Sequence, residues 1–135
     1  MTLSMCLMIF SKFSAPNAVP AAQICPVIIA EAKEASVDSY LVAKIILVES
    51  KGVETAYNSN SQDYGIMQIH LATARKFGFT ESCVKSWPCN IRIGAFILGD
   101  MLRHKGTDCS YNVGSHYKTK MISCLRYREK LATIN

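Results

Sequence analysis

An apolar helix that ends in a carboxylate constrains this chain more than any other stretch. From Leu41 the sequence reads LVAKIILVESKGVETAYNSNSQDYGIMQIH, closing at His70. Leu41, Val42, Ile45 and Ile46 recur at three- and four-residue spacing, which predicts one apolar stripe on a helix. Asp38 is placed to cap its start and Gly52 to stop its end. Glu49 follows Ile45 by four residues and Ile46 by three, so it projects from the core-facing side near the helix end. Partial burial and the negative end of the helix dipole both disfavour its anion, and Lys44, about 140° round the helix, is badly placed to compensate. A carboxyl kept protonated near neutral pH is what a general acid for glycosidic cleavage requires. The same placement suits a hydrogen-bonded glutamate at the edge of the core, so the helix alone leaves both readings open.

Beyond a loop rich in Asn and Ser comes the run Asp63-Tyr64-Gly65-Ile66-Met67-Gln68-Ile69. Further on stand Pro88-Cys89-Asn90-Ile91, with Gly94, Ala95 and Leu98 after it, and then Tyr111-Asn112-Val113-Gly114. With Glu49-Ser50, these blocks resemble the family of soluble lytic transglycosylases and goose-type lysozymes. That family carries Glu-Ser at a helix end, then Gly-Leu-Met-Gln-Ile, then Tyr-Asn-Ala-Gly. The resemblance runs from Cys25 to Tyr127, and the cysteine-bearing variant looks most like the small transglycosylases attached to secretion, conjugation and pilus-assembly systems. It implies an all-α, lysozyme-like single domain, with minimal β structure around Ile66 and a cleft between the Glu49 helix and the Tyr111 segment.

The resemblance also implies roles. Glu49 would protonate the leaving glycosidic oxygen and then act as base, while the sugar's own C6 hydroxyl attacks to give a 1,6-anhydro-muramoyl end. A hydroxyl held in the same ring has a high effective molarity, so no enzyme nucleophile is needed. Ser59, six residues before Gly65, matches the family's substrate-contacting serine. Gln68 and Met67 match cleft-floor residues, one positioning a glycan and the other shaping an apolar wall. Tyr111 matches the tyrosine that orients the acid, and Asn112 its neighbour. His70 stands where relatives carry an apolar residue or Asn, and reads as a rim residue. The stretch from Gly106 to Tyr111 is shorter than in relatives, so the Tyr111 helix loses part of its start. Asp63, two residues before Gly65, is a possible second carboxylate that could activate water. That would make the enzyme a hydrolytic muramidase. A third reading, of another class, is a non-catalytic glycan-binding assembly protein. An acid retained in an apolar setting argues against it.

At 135 residues the chain is expected to be one small domain. No stretch approaches the roughly 18 apolar residues of a membrane span. Residues 1–22 are expected to be a signal peptide, with an apolar run from Leu3 to Phe10 and a cleavage site near Ala21 or Ala22, though no basic residue precedes the run. Residues 23–135 would then be the domain, exported or periplasmic. Cys6 would leave with the signal, and Cys25, Cys83, Cys89, Cys109 and Cys124 would remain. Cys83 with Cys89 is a candidate local bridge; Cys25 with Cys109 or Cys124 would be a long-range one. None of these cysteines has CxxC spacing, which argues against zinc, and the reading calls for no metal or cofactor. A formal charge of +5 is too weak and scattered for a nucleic-acid partner but suits an anionic wall polymer. Peptidoglycan strands are the expected partner, with components of a secretion, conjugation or pilus machine.

The remaining pattern predicts a helix from Pro26 over Val27–Ala35, a break at Ser36-Val37-Asp38, and an irregular loop from Gly52 to Tyr64. It predicts a short helix from Leu71 stopped by Gly78, a turn capped by Thr80, and a buried helix from Asn90 to Lys105. Ile91, Ala95, Leu98 and Leu102 line one face of that helix, and Gly94 and Gly99 imply close packing on another backbone. A last helix, Lys118 to Leu131, would turn Met121, Ile122 and Leu125 inward.

Overall fold

The computed structural model describes residues 1–104 and 128–134. Its elements run α1 (Leu3–Phe13), α2 (Ala21–Glu34), α3 (Ser39–Glu49), β1 (Tyr57–Asn58), β2 (Asp63–Tyr64), β3 (Ile69–His70), α4 (Leu71–Lys76), α5 (Glu81–Lys85) and α6 (Trp87–Arg103). Helices dominate, and the three two-residue strands form one antiparallel sheet in the order β1-β2-β3. Among the described residues no helix is long and apolar enough to cross a membrane.

The central layer is α2, packed against α1, α3 and α6. Each helix contributes an apolar face at helical spacing. Cys6, Ile9 and Phe10 come from α1; Ile24, Cys25, Ile28 and Ala32 come from α2; Ile91, Ala95 and Leu98 come from α6, and all are buried. In α3 the burial extends past the predicted stripe, because Ala43 and Leu47 are enclosed along with Val42, Ile45 and Ile46. Asp38 caps α3 as expected, its carboxylate accepting from the Tyr40 N–H at 2.9 Å. The chain breaks at Ser36, whose φ is +56°. Thr80 caps α5 by accepting from the Cys83 N–H at 3.1 Å, and α4 stops before Gly78. Gly99 packs where expected: a Cβ there would lie 3.0 Å from the Ala35 carbonyl oxygen at the end of α2.

Several expectations change. The helix predicted from Pro26 begins earlier, at Ala21, and Pro26 lies inside it. Proline in a helix interior costs about 3 kcal/mol. Burial of Ile24 and Cys25 before it and Ile28 after it offsets that cost by keeping one continuous apolar face. Cys25 bonds to Cys6, with Cα atoms 5.8 Å apart, because α1 folds back onto α2. Cys109 and Cys124 lie outside the described residues. The predicted Cys83–Cys89 bridge forms and ties α5 to the first turn of α6. The loop from Gly52 to Tyr64 is not irregular throughout, since it contains β1 and the start of the sheet. Leu102, in the last turn of α6, is 37% exposed rather than inward.

Residues 1–20, within the 1–22 segment expected to be a signal peptide, pack against the body of the fold. Phe10 is fully buried and Val19 nearly so. The strap after α1 hydrogen-bonds to the turn after α3: the Ala15 N–H donates to the Lys51 carbonyl at 2.9 Å and the Val19 N–H to the Gly52 carbonyl at 3.0 Å. This turn follows directly on Glu49. Of the last predicted helix, residues 128–132 are helical, with Leu131 buried; Met121, Ile122 and Leu125 lie outside the described residues.

Candidate active site

Glu49 is the last residue of α3 and is half-buried. The last turn of α3 holds no basic residue, so nothing on its own helix offsets the negative end of the dipole there. The helix end is fixed from outside by Ser50. Its hydroxyl donates to the Ile66 carbonyl at 2.7 Å and accepts from the Gly52 N–H at 3.1 Å. A single side chain thus joins the end of the acid-bearing helix to the middle of the Gly-Ile-Met-Gln-Ile run.

That run is a tight, buried turn. Gly65 has φ +77° and Gln68 φ +52°. Gly65 cannot be replaced easily, since a Cβ would come within 2.6 Å of the Asn90 amide nitrogen and the backbone lies in the left-handed region. Asn90, at the start of α6, is fully buried and organises the turn. Its amide oxygen accepts from the Met67 N–H at 2.9 Å, and its amide nitrogen donates to the Tyr64 carbonyl at 3.0 Å and the Val84 carbonyl at 2.8 Å. These bonds satisfy the buried Met67 N–H and Val84 carbonyl and the half-buried Tyr64 carbonyl.

Of the remaining candidates, Met67 is fully buried and belongs to the core. Gln68 is half-buried, and its amide nitrogen donates to the Gly65 carbonyl at 2.9 Å and the Ala56 carbonyl at 3.2 Å. It therefore braces the loop between α3 and the sheet. Ser59 lies exposed in the turn joining β1 to β2, a turn closed by Asn58, whose amide oxygen accepts from the Asn60 N–H at 3.1 Å. Asp63 on β2 is half-buried and pairs across the sheet with His70 on β3. Tyr111 and Asn112 lie outside the described residues.

The opposite face of the sheet is aromatic. Tyr57 and Tyr64 are cross-strand partners with ring centroids 4.7 Å apart, and the Lys85 ammonium stands 5.7 Å over the Tyr64 ring. Desolvation, a hydrogen bond to the Tyr64 hydroxyl and its charge push the Tyr57 phenol above its usual range. A separate hollow of about 680 Å³, lined by Glu31, Glu34, Arg92, Phe79 and Phe96, contains none of the candidate site residues.

Two residues that order the site went unassigned in the sequence. Ser50 was visible only as half of a dipeptide, and Asn90 only as part of a helix start. A buried-helix pattern with an Asn at an inward position was the available signal for Asn90, because a buried amide demands partners.

Taken together, the arrangement presents one carboxyl at a helix end, held against a rigid turn, with a second carboxylate on the adjoining sheet. That set can protonate a leaving oxygen and stabilise the charge that develops beside it. A family model described as the transglycosylase SLT domain matches residues 26–130. None of the curated proteins compared with the chain matches it.

Proposed function

Because this chain belongs to the transglycosylase SLT domain family, we propose that it is a peptidoglycan lytic transglycosylase cutting the MurNAc–GlcNAc β-1,4 bond with formation of 1,6-anhydro-muramoyl ends. The observation that carries this reading is the placement of Glu49. It ends an apolar helix, is half-buried, has no basic residue in its turn, and is tied through Ser50 to the buried turn at Ile66.

In the proposed reaction Glu49 gives its proton to the glycosidic oxygen as the bond to the anomeric carbon breaks. The C6 hydroxyl of the same sugar then bonds to that carbon and returns its proton to Glu49. No water is consumed, and the acid is regenerated. Fixing the sugar against the rigid turn would hold the hydroxyl in attacking range, which is where the rate advantage of an intramolecular nucleophile arises. By the family resemblance, Tyr111 would orient the acid and Asn112 would assist it.

We assign the activity to the cell envelope, outside the cytoplasm. The two disulfides among the described residues suit an oxidising compartment, and the polymer lies there. Local opening of the wall for a secretion, conjugation or pilus machine is the biological setting that the resemblance of the cysteine-bearing variant supports.

The test is Glu49→Gln, which preserves volume and cannot deliver a proton. Wall digestion on a zymogram should fall by at least about 10²-fold, the lower end of general-acid contributions, with an unchanged circular-dichroism spectrum. Activity within a few-fold of the parent would end the assignment of Glu49 as the acid.

A further inference from the structure

The small sheet has two unlike faces, because cross-strand partners share a face and alternate along each strand. Tyr57, Tyr64 and Ile69 lie opposite one another on one face, and Asn58, Asp63 and His70 on the other. The first face carries the buried Ile69 and the two tyrosine rings, which contact each other. The second is polar and open: the side chains of His70 and Asp63 are 46% and 27% exposed. Asp63 also lies in the segment anchored to the acid's helix, three residues before the Ile66 carbonyl that receives the Ser50 hydroxyl.

On this polar face His70 is held in one orientation. Its Nδ1 lies 3.0 Å from the Ser61 carbonyl oxygen and 3.6 Å from Asp63 Oδ1. A carbonyl only accepts, so Nδ1 carries the hydrogen and donates it to Ser61. Nε2 is left as the nitrogen that gains or loses a proton. The ring therefore keeps its place beside Asp63 while its charge changes.

Little else around the pair can supply that change. Asn58 from β1 and Ser61 from the turn do not titrate. From α4, Arg75 is held by Glu81 at 3.5 Å, and Lys76 is exposed in the same last turn. From α6, Arg92 is held by Glu31 at 3.4 Å. Lys85 of α5 stands over the tyrosine face. Two further carboxylates stand between α3 and the sheet in sequence: Glu49 at the end of α3 and the exposed Glu54 in the loop before β1.

We propose that His70 is a positioning residue for Asp63 and sets how the cleaved glycan end is resolved, by the C6 hydroxyl or by water. The proposal rests on the transglycosylase reading above. In both routes Glu49 protonates the leaving oxygen and the glycosidic bond breaks. In the first, the C6 hydroxyl bonds to the anomeric carbon and its proton returns to Glu49. In the second, water bonds to that carbon and gives one proton to Asp63, which passes it to solvent; Glu49 recovers its proton from solvent, and one water is consumed. With His70 charged, the Asp63 carboxylate is paired and is a poorer base. With His70 neutral, Asp63 is free to take the proton from water. The choice of route then follows the charge on the imidazole and becomes a function of pH.

The experiment digests purified sacculi with the full chain between about pH 5 and 8, the window of imidazole titration. It reads two quantities by mass spectrometry: total muropeptide released, and the ratio of reducing to anhydro ends. For the parent protein the ratio should rise several-fold with pH. His70→Asn keeps a donor for the Ser61 carbonyl but cannot charge, and should make the ratio flat. Asp63→Asn should suppress reducing ends at every pH. Nuclear magnetic resonance titration of His70 supplies a readout independent of turnover, and Asp63→Asn should lower its midpoint by removing the anion. Release of anhydro ends alone at every pH leaves the transglycosylase reading intact and overturns the role of His70. So does a ratio whose pH dependence survives in His70→Asn, or a His70 midpoint unmoved by Asp63→Asn. Reducing ends alone at every pH, or no release, overturns both.

Discussion

Asn90 shows how one side chain can carry a site without touching substrate. It is fully buried and makes three hydrogen bonds, to residues 6, 23 and 26 positions away in sequence. Replacing it with Ala would strand the Met67 N–H and the Tyr64 and Val84 carbonyls at once. An unpaired buried group costs about 1–3 kcal/mol, and two of the three partners are buried, so Asn90→Ala should lose at least about 2 kcal/mol in urea unfolding. Activity should fall as well, because the turn carrying Gln68 loses its brace. A loss under about 1 kcal/mol, the size of a single average hydrogen bond, would mean that the turn holds itself. The identity of Asn90 was legible in the sequence, but its partners were not. Ser50 is a similar case. Its hydroxyl reaches Ile66, sixteen residues on, and no rule of local spacing points there.

At the scale of elements, helix existence and helix ends were mostly readable. The caps at Asp38 and Thr80 rest on bonds to residues two and three positions away, within reach of a local pattern. The start of α2 escapes local rules, which place proline at a helix beginning, whereas burial of the face around Pro26 overrides them. The two bridges separate in the same way. Cys83–Cys89 closes a six-residue separation between adjacent elements, and Cys6–Cys25 closes nineteen across the α1–α2 pair. Chain-entropy arguments put the shorter bridge at about 2 kcal/mol and the longer at about 3 kcal/mol. Urea melts of the paired Cys→Ser variants should therefore show the larger loss for Cys6/Cys25. The reverse order would indicate that α1 contributes little to the folded state.

Over the whole molecule the question is what residues 1–22 do. They bury Cys6, Ile9, Phe10 and Val19 and hydrogen-bond the turn that follows Glu49. Burying a large apolar side chain contributes about 1.5–3 kcal/mol, and a small domain holds only about 5–15 kcal/mol in all. A 23–135 fragment should thus be destabilised by at least about 5 kcal/mol, should bind a hydrophobic dye, and should lose activity through the loosened end of α3. A fragment as stable and active as the full chain would support the reading of this segment as a dispensable leader.

By itself the sequence determined what depends on neighbours a turn apart: the apolar stripe before Glu49, the caps, the breaks at Ser36 and Gly78, and the order of motifs that marks the family. Side chains three and four residues apart share a helix face whatever else the chain does, so such signals survive without a structure. Only the tertiary structure decided the Cys6–Cys25 bond, the brace at Asn90, the packing of the first twenty residues and the meeting of His70 with Asp63. Each depends on which buried surfaces find one another in space, and apolar attraction is non-directional. It states that Phe10 must be covered, and only the packed whole states by what.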